Sequence, residues 1–80
     1  MEETVLVKYT TADDPPVPLT RDVFVDGTRN GTTNNLMAVQ TGTHTFDLGQ
    51  PKGYTPDSIT KQVTGTTPLA PFVIVFKPKP

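Results

Sequence analysis

Apolar and polar residues alternate along most of the chain in short runs, each closed by turn-forming residues. Val5, Val7 and Tyr9 alternate with Leu6, Lys8 and Thr10, a period of two that predicts a strand over 4–10. Residues 22–26 predict a second strand, with Val23 and Val25 on one face and Phe24 on the other. Met37 and Val39 are in phase in a third, over 35–40. From Thr43 to Leu48 the alternation puts His44, Phe46 and Leu48 on one side and Thr43, Thr45 and Asp47 on the other. Residues 58–64 predict a more polar strand through Ile59 and Val63. Residues 70–76 are the most apolar segment, which predicts a central position in a sheet. Pro71 falls at its beginning, where a missing amide donor does least harm. No eleven-residue window carries the apolar stripe of a helix.

The punctuation between these runs is equally regular. Pro15, Pro16 and Pro18 exclude a central strand over 13–18 and predict a stiff exposed loop. Asp26-Gly27 is a reversal signal, because glycine accepts positive φ without steric cost. Gly31, Gly42 and Gly53 mark three further reversals, with Thr32-Thr33 a short extended piece after the first of them. Six or seven short strands with turns every ~8–12 residues predict an all-β sandwich. Its expected core is Val23, Val25, Met37, Val39, Phe46, Leu48, Tyr54, Ile74 and Phe76, with Tyr54 covering the core's edge and wetting its hydroxyl. The alternating prolines of Lys77-Pro78-Lys79-Pro80 oppose strand pairing. The reading is therefore one domain over 1–77, followed by a tail or the start of a linker at 78–80.

At 80 residues there is room for no second domain. Seven bases against eight acids give a net charge of −1, which argues against nucleic acid as the partner, since that partner selects basic surfaces. No apolar run approaches the ~18–20 residues of a membrane span, so no direct membrane insertion is expected. The absence of cysteine removes disulfides, thiolate catalysis and cysteine-ligated zinc. The acidic start Met1-Glu2-Glu3 lacks the basic, apolar signature of a secretory signal.

Candidate chemistry is sparse. His44 is the single histidine and Ser58 the single serine. A Ser58–His44 pair with Asp47 or Asp57 would need a nucleophile turn of the G-x-S-x-G kind, which is missing. His44 alone cannot build a zinc site, and it is expected to hold its turn by a hydrogen bond to backbone. Asp13, Asp14, Asp22 and Asp26 do not match the spacing of a calcium loop. No catalytic residue, metal or cofactor is expected, and the chain is not expected to be an enzyme. The fifteen threonines predict a hydroxyl-rich solvent face. Phe24, opposite in phase to its valine neighbours, would mark an interface if exposed. With Thr32, Asn34 and Asn35 it supplies the aromatic, hydroxyl and amide groups of a candidate polysaccharide-binding surface. Tyr9 and Tyr54 are the other aromatics considered for that stacking role.

Four pieces in order form a spaced signature over residues 23–54: Val23-Phe24-Val25-Asp26-Gly27, Gly31-Thr32-Thr33, Gly42-Thr43-His44-Thr45-Phe46 and Gly53-Tyr54-Thr55-Pro56. The signature resembles the PEGA domain, a small β-module of bacterial and archaeal envelope-associated proteins. More broadly it is similar to the prealbumin-like sandwiches, carboxypeptidase regulatory-type domains among them, with an immunoglobulin-like sandwich as the alternative. The chain departs from the family at Asn34-Asn35, where Pro-Leu is usual, and at Gln40-Thr41-Gly42-Thr43, in place of the namesake string. The resemblance implies a non-catalytic structural or interaction module, in which the histidine has no known chemistry. Neighbouring domains or another protein are the implied partners, and a polysaccharide is the alternative. It also implies an extracytoplasmic or envelope location within a longer chain, cytoplasmic residence being the other possibility.

Overall fold

The structure is a computed structural model that describes residues 2–79. Eight strands follow in order: β1 (Glu2–Tyr9), β2 (Asp22–Val25), β3 (Thr28–Thr32), β4 (Leu36–Gln40), β5 (Gly42–Asp47), β6 (Tyr54–Thr55), β7 (Ile59–Val63) and β8 (Phe72–Pro78). They form two four-stranded sheets, β4-β1-β8-β6 and β3-β2-β5-β7. The described residues include no helix long and apolar enough to cross a membrane.

The alternation decides which face of each strand turns inward. Val5, Val7 and Tyr9 of β1, Met37 and Val39 of β4, and Ile74 and Phe76 of β8 meet Val23, Phe46 and Val63 of the other sheet in one cluster, closed by Leu48 and Tyr54. Burying such a side chain fully is worth ~1.5–3 kcal/mol each, so this cluster is the main source of stability in so short a chain. Val25 belongs to its rim and is only partly buried. Val5, Val7, Tyr9 and Val63 extend the core beyond the residues expected from sequence. Burial of Tyr9 removes it as a stacking platform.

The connections set the strand order. Only β2 and β3 form a tight hairpin, turning at Asp26 and Gly27 with φ of 52° and 85°. Positive φ at both central residues gives the turn whose twist matches paired strands. Each later connection instead crosses from one sheet to the other. The sharpest crossing is at Thr41, the single residue between β4 and β5, followed by Gly42 at φ 139°. Gly31 is a correction: it lies within β3, facing the Met37 side chain, and has no positive φ, whereas Gly53 closes the loop before β6, its amide donating to the Pro51 carbonyl. The reversals that need a left-handed residue fall instead at Asn34, Gly49 and Gly65.

A register shift between Val23 and Phe24 leaves Asn30 as the extra residue of a bulge. Its amide reaches across to the Ala38 carbonyl of β4 at 2.8 Å, closing that side of the sandwich. At the other end of the chain, pairing runs further than the prolines suggest. β8 pairs with β6 through Lys77 and Pro78, and the Lys79 amide donates to the Gly53 carbonyl. That pairing tolerates Pro78 because Tyr54 and Pro78 are a non-hydrogen-bonded pair: the donor on this edge is Lys79, and no amide is asked of the proline. Residue 80 of the expected tail lies outside the described residues.

β1 and β8 pair in parallel, with Val5 opposite Phe72 and Tyr9 opposite Phe76. The first strand therefore begins, and the last strand ends, at opposite ends of the sheet.

Candidate interaction surface

Most polar side chains singled out by the sequence are committed to holding the frame together. His44 is set by β5 beside the β2–β3 turn. Its Nδ1 meets Asp26 Oδ2 at 2.6 Å, and its Nε2 meets the Gln40 carbonyl at 2.6 Å. Both partners are acceptors, so both bonds form together only when the ring carries two protons. The Asp26 bond, then the Gln40 carbonyl, raise the histidine pKa. The His44 bond and the Thr45 amide lower that of Asp26. With both nitrogens engaged, the ring has no lone pair for a metal or a substrate proton.

The strand register places Ser58 away from this pair. His44 lies opposite Lys61, and Ser58 is three residues further along, about 10 Å at the rise of a strand. The Asp47 carboxylate is turned to its own loop, where it accepts from the Gly49 amide. The imagined serine–histidine–acid trio is thus not brought together. Among the described residues no group of three or more His, Asp or Glu side chains could hold a metal ion. Asp22 pairs with exposed Arg29 at 3.1 Å.

Three further clamps were not foreseen from sequence. Glu3 is buried on the inner face of β1. Its carboxylate accepts from the Thr41 hydroxyl and from the Thr66 amide and hydroxyl, and these donors hold its pKa down against burial. The signal was present, since Glu3 is in phase with Val5, Val7 and Tyr9. Arg21 donates to the carbonyls of Leu48 and Pro51 at 3.0 and 2.7 Å, with its guanidinium 5.3 Å from the centre of the Tyr54 ring. Nothing in the pattern around Arg21 announces this. Tyr54 is fully buried, and its hydroxyl is not in water: it accepts from the Leu48 amide and donates to the Gly49 carbonyl.

Asn34 is the third clamp, and it alters the expected binding surface. β4 pairs with β1 only as far as Leu6. Beyond that point Asn34 continues the ladder, its amide nitrogen donating to the Val7 carbonyl. Its side chain then accepts from the Tyr9 amide and donates to the carbonyls of Tyr9 and Leu19. Asn35 donates to Thr32 Oγ1 and to the Thr33 carbonyl. Phe24 is half-buried over Gly49. So the Asn34 amide and the Phe24 ring, chosen as ligand contacts, are spent on internal contacts. Buried Thr33 locks the same turn through Leu19 and Arg21.

The two outer faces differ in kind. On the β3-β2-β5-β7 sheet, Thr43, Thr45, Thr60 and Gln62 are paired neighbours in register, and the hydroxyls of Thr45 and Thr60 bond each other at 2.9 Å. This is a hydroxyl-rich face of the kind the threonines predicted. On the β4-β1-β8-β6 sheet, Leu6 stands between Leu36 and Val73 in register, with Val75 two residues further along β8. Leu36, Val73 and Val75 are 53%, 46% and 48% exposed. Four apolar side chains on three adjacent strands make a contiguous patch, which isolated exposed leucines would not. Past Val75 the face runs into a groove of about 560 Å³ between residues 10–13 and 75–79, flanked by Asp13, Lys77 and Lys79.

Set against protein-family models, curated proteins and solved structures, the chain matches none of them.

Proposed function

We propose that the chain is a non-catalytic structural and interaction module, with the prealbumin-like frame of the PEGA domain, working as one domain of a larger envelope- or surface-associated protein. The observation that carries this reading is the apolar patch of Leu6, Leu36, Val73 and Val75 on one outer face. A contiguous exposed patch of this kind costs solubility and is characteristic of a surface that meets another protein. The parallel pairing of β1 and β8 supports the modular part of the reading. Chain entering at one end and leaving at the other suits a unit that spaces its neighbours.

An antibody blot of fractionated source cells tests this. A band much larger than 8.7 kDa in the envelope fraction is the expected result. An 8.7 kDa band confined to the cytoplasm would remove the envelope reading.

A further inference from the structure

Resting on the interaction reading, we infer that the occupant of the apolar face is a second copy of the same chain, packed sheet to sheet with its strands running the opposite way. The argument comes from how charge is arranged around the patch. The outward residues of β1 are Glu2, Thr4, Leu6 and Lys8, alternating with buried Glu3, Val5, Val7 and Tyr9. Those of β4 are Leu36, Ala38 and Gln40, and those of β8 are Val73, Val75 and Lys77. The outward-facing charged groups on these three strands are therefore one acid, Glu2, at one end and two bases, Lys8 and Lys77, at the other, with the apolar residues between.

Glu2 and Lys8 are six residues apart on one strand, about 20 Å, with their midpoint level with Val5. A two-fold axis through that level, lying in the interface and perpendicular to the strands, carries Glu2 of one copy onto Lys8 of the other, twice. The same operation sets Leu36 over Ala38 and Leu6 beside Thr4. With the axis running along β1 instead, Glu2 would face Glu2 and Lys8 would face Lys8. Like charges brought together cost binding energy, so charge selects the antiparallel arrangement. Aligned sheets pack about 30° off parallel, which long lysine and glutamate side chains can span. A net charge of −1 leaves little general repulsion between copies.

Sedimentation equilibrium of the 80-residue chain from micromolar to millimolar concentration, at low salt, reads the association directly. A dimer is expected, weakened by salt. Glu2→Lys and Lys8→Glu are each expected to weaken it about tenfold, because two symmetric pairs turn from attraction to repulsion, and the double swap to restore it to within about threefold. Both positions are exposed, so folding is unaffected, and amide NMR spectra check this. Dilution should move the amide shifts of residues 2–8, 36–40 and 73–77 and leave those of Thr43, Thr45 and Thr60 in place. A chain that stays monomeric at millimolar concentration overturns the inference. So does a dimer indifferent to both single swaps. Neither result touches the module reading, which stands or falls on the size and compartment found in cells.

Discussion

Asp26 and His44 are eighteen residues apart in the chain, and their side chains meet at 2.6 Å. The pair joins the β2–β3 turn to the start of β5, and the second ring nitrogen ties both to the end of β4 through Gln40. The bond therefore holds the Thr41 crossing between the sheets, a place where backbone ladders cannot reach.

Stability should consequently depend on pH in two limbs. The folded pKa of His44 is raised, so its contribution is complete below about 6.5, the unfolded value, and is lost as pH climbs through the folded pKa. The folded pKa of Asp26 is lowered, so its contribution is complete above the ordinary aspartate range and is lost as pH falls through the depressed value. Glu3, also lowered, adds to the acid limb. Urea midpoints measured across pH should show a plateau between these limbs. His44→Gln should flatten the alkaline one. Lys61, opposite His44, is the nearest basic group in register, and Lys61→Gln should raise the imidazole pKa slightly further. An NMR titration that places the His44 midpoint at or below about 6.5 would refute the clamp.

Asn34 holds φ 64° and bonds Tyr9 twice and Leu19 once through its side chain. Asn34→Ala strips those bonds and keeps the left-handed backbone, so it should cost about 2–4 kcal/mol in urea unfolding. Asn34→Gly removes the backbone penalty and should cost less. Asn34→Asp is the sharper test. It keeps an acceptor for the Tyr9 amide but turns a second oxygen toward two carbonyls, so its destabilisation should grow as the carboxylate ionises. An Asn34→Ala protein within about 0.5 kcal/mol of the parent would show that the ladder extension contributes nothing.

How much of this was legible in the sequence follows from the range of each interaction. Period-two alternation is local, so β1, β2, β4, β5, β7 and β8 are readable from the apolar phase of Val5, Val23, Met37, Phe46, Val63 and Ile74. β6 is two residues long and β3 reads TRNGT, so neither carries an apolar phase to read. Sheet membership is not local. Nothing within residues 36–47 tells that the chain bends across the sandwich at Thr41 instead of folding back beside β4. What holds the bend lies outside it: Asp26, through His44, and Glu3, thirty-eight residues from Thr41. Asn34 was not readable as a clamp for a related reason: it is polar and lies in a turn, and sequence alone cannot distinguish an amide free for a ligand from one paired with a distant strand.

Gly49, in the loop that follows β5, lies against the ring of Phe24 from β2. A methyl group placed on Gly49 would stand 2.5 Å from Phe24 Cε1, and the backbone there holds φ 72°. Gly49→Ala should therefore combine a steric clash with a strained backbone and cost about 2–4 kcal/mol. Phe24→Ala should relieve the clash but not the strain. In a double-mutant cycle the two changes should couple favourably by about 1 kcal/mol or more. Strictly additive costs would mean that the ring does not lie over Gly49.

The Tyr54 hydroxyl sits buried against the loop that links β5 to β6. It accepts from the Leu48 amide at 3.1 Å and donates to the Gly49 carbonyl at 3.0 Å, below the Arg21 guanidinium. The Leu48 side chain is itself buried, so removing the hydroxyl strands a backbone amide that water does not readily reach. Tyr54→Phe keeps the ring against Phe76, edge to face with centroids 5.5 Å apart, and deletes only the oxygen. It should cost about 1–3 kcal/mol, the penalty for a buried donor without an acceptor. The loss should be seen locally as faster hydrogen exchange at Leu48 and Gly49, with the amides of β1 exchanging as before relative to the global stability. If Tyr54→Phe is neutral and exchange at Leu48 is unchanged, the loop is held by Arg21 alone, and Arg21→Ala should then release it.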